Sequence, residues 1–172
     1  MKIAFSGAHR VGKTSLAEKI HASLPEFFFV PEPYVALEEQ GRSFSHTPNL
    51  EDLTLQIEHA IETVEMDELD VIFDRCPLDL LAYIYVIGGA EASRKYYLQV
   101  KEAMEEIDLL VFVPIESPDE IGCPEAEFPQ LRRQVNDLLE EWIDAFDLET
   151  ILVNGTPAER EKQVIEAILR FD

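Results

Sequence analysis

The chain predicts an α/β fold in which a parallel sheet is covered by helices on both faces, and three observations lead there. Five short apolar runs alternate with longer stretches whose apolar residues recur at helical spacing. Between the first run and the first helical stretch stands an octet, Gly7-Ala8-His9-Arg10-Val11-Gly12-Lys13-Thr14, that fills the pattern G-x-x-x-x-G-K-[ST] in full. Acidic and basic residues, Glu32, Asp74 and Arg75, follow directly on the second and third runs, and just past the strand ends is where an open parallel sheet gathers its chemistry.

The strands are expected at 2–6, 27–30, 70–74, 109–114 and 150–153, each short and apolar as a strand buried on both faces must be. A helix opens after the octet. In the segment 49–68, Leu50, Leu53, Ile57, Ile61 and Val64 form one stripe. Tyr97, Val100, Met104 and Ile107 form another, and Leu131, Val135, Leu138, Leu139, Trp142 and Phe146 a third. Val164, Ile168 and Phe171 close the series. The run 80–87 reads as a core helix in preference to a dimer face. Two polar stretches, 40–48 and 116–129, read as loops. The second is long and rich in proline, which marks the segment 116–133 as a candidate lid.

With 172 residues and 47% hydrophobic content, the chain has the makings of one domain spanning 1–172. No apolar run approaches the roughly 18 residues that a bilayer span needs, and Met1 leads straight into the first strand. A cytoplasmic protein without a membrane segment is the expectation. Thirty-five acidic against 14 basic residues give a formal net charge of -21, which would repel a nucleic-acid backbone. A polyanion could bind only in a pocket where a few cations outweigh the global field. Cys76 and Cys123 lack metal-ligand spacing and are expected as free thiols.

The octet carries a definite chemistry. Its glycines let the backbone curl so that amide N–H groups point inward at the N-terminus of a helix, where the dipole adds positive charge. Residues Gly7 to Ser15, with Ala8, His9, Arg10, Val11 and Gly12 as the curl, are therefore the candidate ATP cradle. Lys13 reaches the β- and γ-phosphates, and the Thr14 hydroxyl ligates Mg2+. Asp74 is the candidate second carrier of magnesium, with a helix N-cap before Pro77 as its structural alternative. Arg75 can hold phosphate as a fork. Glu32, stiffened by Pro31 and Pro33, can take or orient the proton of an acceptor hydroxyl, unless it is only a solvated loop acid. Arg132 and Arg133, at the lid's end, read either as phosphate-facing cations or as surface charges.

Taken in order, these elements resemble the nucleoside and nucleotide kinases of the P-loop class: the loop, then Val30-Pro31-Glu32-Pro33, then Phe73-Asp74-Arg75-Cys76-Pro77-Leu78-Asp79, then an Arg-bearing segment after the fourth strand. The chain is most similar to the ATPase domains related to ribosylnicotinamide kinase, and more loosely to deoxyribonucleoside and thymidylate kinases. The resemblance implies the strand order 2-3-1-4-5, a mobile lid, Glu32 facing the acceptor, Asp74-Arg75 near magnesium and phosphate, and Arg132 or Arg133 as a lid arginine. Where deoxyribonucleoside kinases usually carry Glu-Arg-Ser, this chain has Asp74-Arg75-Cys76. The expected function is transfer of the γ-phosphate of Mg-ATP to a nucleoside, nucleotide or related small metabolite, by a monomer or homodimer. A regulatory ATPase switch, with no acceptor, is the rival reading, and a module that merely holds nucleotide is a third.

Overall fold

The structure, a computed structural model, describes residues 1–171. Five strands, β1 (Lys2–Ser6), β2 (Phe28–Val30), β3 (Val71–Phe73), β4 (Leu109–Phe112) and β5 (Thr150–Leu152), form one sheet in the order β2-β3-β1-β4-β5. Every pairing is parallel. The inner strands β1, β3 and β4 are buried almost throughout, which explains why they read as unbroken apolar runs instead of alternating ones. Edge strands are less covered, and Phe28 and Leu152 are exposed.

Register decides where chemistry can gather. Val30 and Ala4 both align with Phe73, Ser6 aligns with Phe112, and Phe112 with Leu152. The residues that follow these positions, Gly7, Pro31, Asp74 and Val113, therefore leave the sheet along one edge. Each observed strand is no longer than its expected run, and most end one or two residues earlier, because the chain at 74, 113 and 153 is already turning into that edge.

Helix α1 (Lys13–Ser23) packs against α6 (Pro157–Ile168), while α3 (Leu50–Val64), α4 (Pro77–Met104) and α5 (Pro129–Ala145) pack in sequence beside one another. Right-handed crossovers require this division: the step from β1 to β2 runs one way across the sheet and those to β3, β4 and β5 run the other, so their helices fall on opposite faces. Asn49 caps α3 by accepting from the Asp52 amide at 2.9 Å. Thr156 and Glu159 form a reciprocal capping box on α6, with Pro157 in its first turn.

A short helix, α2 (Pro33–Glu39), follows β2 directly, because proline is suited to a first helical turn. Three stripe positions need correction, and the first is Leu50, which is exposed at the start of α3. In α4 it is Tyr96 that faces the core while Tyr97 is exposed. Gly89, with φ +78° and ψ −178°, leaves helical space and breaks α4. Phe171 is also exposed. Of the run expected as core, Leu80 to Ile84 is buried but Tyr85 and Ile87 are exposed, and Cys76 and Cys123 are free thiols. Among the described residues no helix is long and apolar enough to cross a membrane.

Candidate active site

The loop between β1 and α1 is shaped by two glycines. Gly7 has φ +146° and lies so close under Val113 that a Cβ would collide with its carbonyl oxygen; Gly12 has φ +88°. Four successive loop carbonyls, from Ala8 to Val11, are each held by a cation. Lys13 Nζ donates to Ala8 O at 2.9 Å, and Arg132 donates to His9 O and Arg10 O, both at 2.9 Å. Arg160 donates to Val11 O at 2.7 Å. Among the described residues, the amides from Arg10 to Ser15 have no protein acceptor, so they are free to serve an anion. Lys13 is buried; its pKa is lowered by that burial and then by Arg75, against the pull of Glu32, Asp79 and Asp74.

Asp74 leaves β3 as a buried carboxylate whose Oδ1 has no hydrogen-bond partner. Burial first, and then the charge of Glu32, push its pKa up to about 7, while Thr14, Lys13 and Arg75 pull it back. A buried, half-neutralised acid beside a hydroxyl is poised for a divalent cation, so Thr14 and Asp74 fit Mg2+, an ion that takes few protein ligands and completes its shell from phosphates and water. The N-cap of α4 is Cys76, with Pro77 behind it, so Asp74 is not the cap.

Glu32 and Arg75 meet as a two-pronged pair, with Arg75 Nε 3.3 Å from Glu32 Oε2 and Nη2 donating to Oε1 at 3.3 Å. Burial works to raise the Glu32 pKa, but Arg75 and Lys13 outweigh it and the net shift is downward. Arg75 lies 5.5 Å over the Tyr83 ring and 3.9 Å from Asp79 Oδ2. Burial disfavours its charge, yet Glu32, Tyr83 and Asp79 raise its pKa beyond the ordinary arginine value. Asp79 is wholly buried; its Oδ1 accepts from Ser6 Oγ at 2.5 Å and from the Gly7 amide at 3.2 Å. Burial raises its pKa against the pull of Arg75 and Lys13.

His9 is held at both ring nitrogens. Tyr83 Oη accepts from the His9 amide at 2.8 Å and has one proton of its own, which it gives to Nδ1 at 2.7 Å. Nε2 faces Glu127 O at 2.7 Å and must donate. The neutral Nε2–H imidazole satisfies every contact, and burial lowers the ring's pKa to match.

Two cavities flank the loop. The larger, about 800 Å³, is lined by Val11, Gly12, Ser15, the chain from Pro114 to Ile121, and the turn from Asn154 to Arg160. The smaller, about 430 Å³, is lined by His9, Glu32, Arg75, Tyr83 and the aromatic rings of Tyr34, Phe44 and Phe128. The expected lid segment lies between them, tied to the loop by Arg10–Glu127 at 2.8 Å and by the bonds from Arg132 to His9 O and Arg10 O, while the Arg132–Asp119 pair braces the segment internally. It contains a single 3₁₀ turn, Glu125–Glu127, and α5 begins within it at Pro129.

The structure thus brings together Gly7 to Ser15, Glu32, Asp74 and Arg75. Arg132 is also here, 3% exposed, but its donors are committed to loop carbonyls and Asp119. Arg133 is apart from both cavities, exposed on the outer side of α5. Sequence reasoning gave no role to Asp79, Tyr83 or Arg160. The four-residue step from Arg75 to Asp79 was a usable signal; for Arg160, an apparent surface charge on the last helix, there was none.

Comparison with known proteins agrees with this architecture. The chain resembles deoxyadenosine kinase from M. mycoides, solved with the products dCMP and dCDP, at 13% identity and TM-score 0.68, with 100% of each chain covered. It resembles a NadR protein solved with NR at 17% identity and TM-score 0.73, over 98% of this chain but 50% of that one. Thymidylate kinase from Candida albicans aligns at 16% identity and TM-score 0.63, over 98% of this chain and 90% of that one. No curated protein sequence matches. The fold is that of the P-loop nucleoside and nucleotide kinases, in the strand order expected. A family model described as AAA domain matches residues 2–160, and the chain belongs to that family.

Proposed function

We propose that this protein is an ATP-dependent phosphotransferase that moves the γ-phosphate of Mg-ATP to a hydroxyl of a nucleoside, nucleotide or related small metabolite. The observation that carries the reading is the second cavity. Its wall is the Glu32–Arg75 pair, and His9 brings the phosphate loop to its rim, so an acceptor there would meet the donor phosphate at the loop. A nucleotide switch needs no such chamber.

The chain's residues divide the work between positioning and charge. Free amides from Arg10 to Ser15 bind the donor phosphates, and Lys13 exchanges its bond to Ala8 O for a phosphate oxygen. Magnesium, when bound, would be held by the Thr14 hydroxyl and Asp74 and would neutralise phosphate charge. Arg75, kept ionised by Glu32, stabilises charge on the transferring group. Glu32, kept ionised by Arg75, orients the acceptor hydroxyl and takes its proton as the bond forms. Arg132 serves by holding the loop, and Arg133 has no part.

Purified protein with Mg-ATP and a panel of nucleosides, nucleoside monophosphates and vitamin-like polyols tests this through ADP formed with and without acceptor. Acceptor-dependent ADP supports transfer. Steady ATP hydrolysis that no acceptor alters would assign the chain to the switch class instead.

A further inference from the structure

Arg160 does something that neither the sequence nor the transfer scheme uses. It enters from α6, is 8% exposed, and spreads one guanidinium over three segments of chain. Nη1 donates to Val11 O of the phosphate loop at 2.7 Å, Nε donates to Gly155 O of the turn before α6 at 3.1 Å, and Nη2 lies 2.9 Å from the Glu116 carboxylate. Glu116 closes the figure by accepting from the Gly155 amide at 2.6 Å. All four residues line the larger cavity.

We propose that Arg160 is a positioning residue for the nucleoside triphosphate, setting the direction of the Gly12 amide and joining the phosphate end of the cleft to its far wall. The inference rests on the larger cavity being the nucleotide site. Its physical basis is the planarity of the peptide group: Val11 C=O and Gly12 N–H belong to one plane and point opposite ways. With the carbonyl pinned outward, the amide must face the cradle. Glycine at 12 would otherwise allow that plane to turn over, because its φ of +88° is one of several conformations open to it. A flipped plane would aim a carbonyl oxygen at phosphate. Arg132 restrains the two preceding planes in the same way, so the amides of Arg10, Val11 and Gly12 are all aimed from behind. The guanidinium serves these partners from three separate nitrogens held in one plane; an ammonium carries all its donors on one nitrogen and spans less of the gap between them.

Calorimetric titration of the full chain with Mg-ATP, beside unfolding midpoints and steady-state rates, tests the proposal. Arg160→Gln is expected to weaken ATP by ~10–100-fold, with the KM of the acceptor unchanged. Arg160→Lys should recover part of that loss. Glu116→Gln retains an acceptor for the Gly155 amide but removes the charge that orients Arg160; it should weaken ATP by ~3–10-fold and decides the matter should Arg160→Gln not fold. Variants that melt earlier but bind ATP as tightly as the parent would reduce Arg160 to a stabilising contact and overturn the inference. If the parent itself takes up no ATP, the nucleotide reading falls, and the positioning role with it.

Discussion

Asp74 should cost the unliganded protein stability that its replacement recovers. Its carboxyl is raised from 3.8 to about 7, chiefly because the buried charge has lost water and gained no partner on Oδ1. Between those values the folded protein holds the proton more tightly than the unfolded chain does, so stability falls as pH rises across the window. At about 1.36 kcal/mol for each pH unit, the penalty reaches ~4 kcal/mol at and above pH 7. Asp74→Asn removes the charge at constant volume but leaves its own amide short of partners, so the expected net gain is about 2 kcal/mol. For 172 residues that is a rise in Tm of roughly 4–8 °C. Near pH 4, where only the cost of the unpaired amide remains, the variant should be less stable than the parent by about 2 kcal/mol; it should overtake the parent as pH rises to 7 and stay level above. Thermal unfolding without nucleotide, followed in that pH series, reads it directly. The same variant should lose Mg-dependent ATP binding. A variant no more stable than the parent at pH 8, or a gain equal at pH 4 and pH 8, would refute the account of a buried unpaired charge.

Glu32→Gln should leave ATP binding intact and lower acceptor-dependent turnover by ~100-fold or more, measured as ADP release under saturating ATP; unchanged turnover would remove Glu32 from the mechanism. Gly7→Ala sets a methyl against the Val113 carbonyl at a φ of +146° and should cost about 3 kcal/mol or more, seen as a fall in unfolding midpoint with loss of ATP uptake. Arg133→Ala should change stability by less than about 0.5 kcal/mol and leave turnover as it was, since the side chain is exposed on the outer side of α5; a marked fall in turnover would show that the lid brings it to the phosphates.

Much of the fold was legible because it is written in short stretches. Parallel strands covered on both faces must be apolar throughout, so all five runs stood out against helices with one apolar stripe. Within the helices it failed at single positions. The stripe read as Tyr97, Val100, Met104 and Ile107 holds at its last three positions, yet the buried place at its start goes to Tyr96, a choice that depends on how the second half of α4 meets Glu58 of α3.

For the site, the sequence by itself determined where the phosphate loop lies and what it offers, since eight consecutive residues supply its glycines, its amides and its lysine. It also determined that Glu32, Asp74 and Arg75 belong to the carboxyl edge, because strand ends of a parallel sheet lie together whatever their order. Only the tertiary structure decided what each charge does there. Arg132 and Arg160 stand 123 and 149 residues from the loop carbonyls they hold, and Asp79 receives the Gly7 amide across 72. Side chains so distant along the chain share no local pattern; whether a guanidinium meets a phosphate, a carbonyl or water depends on which surfaces the packed helices bring within three ångströms or so of it.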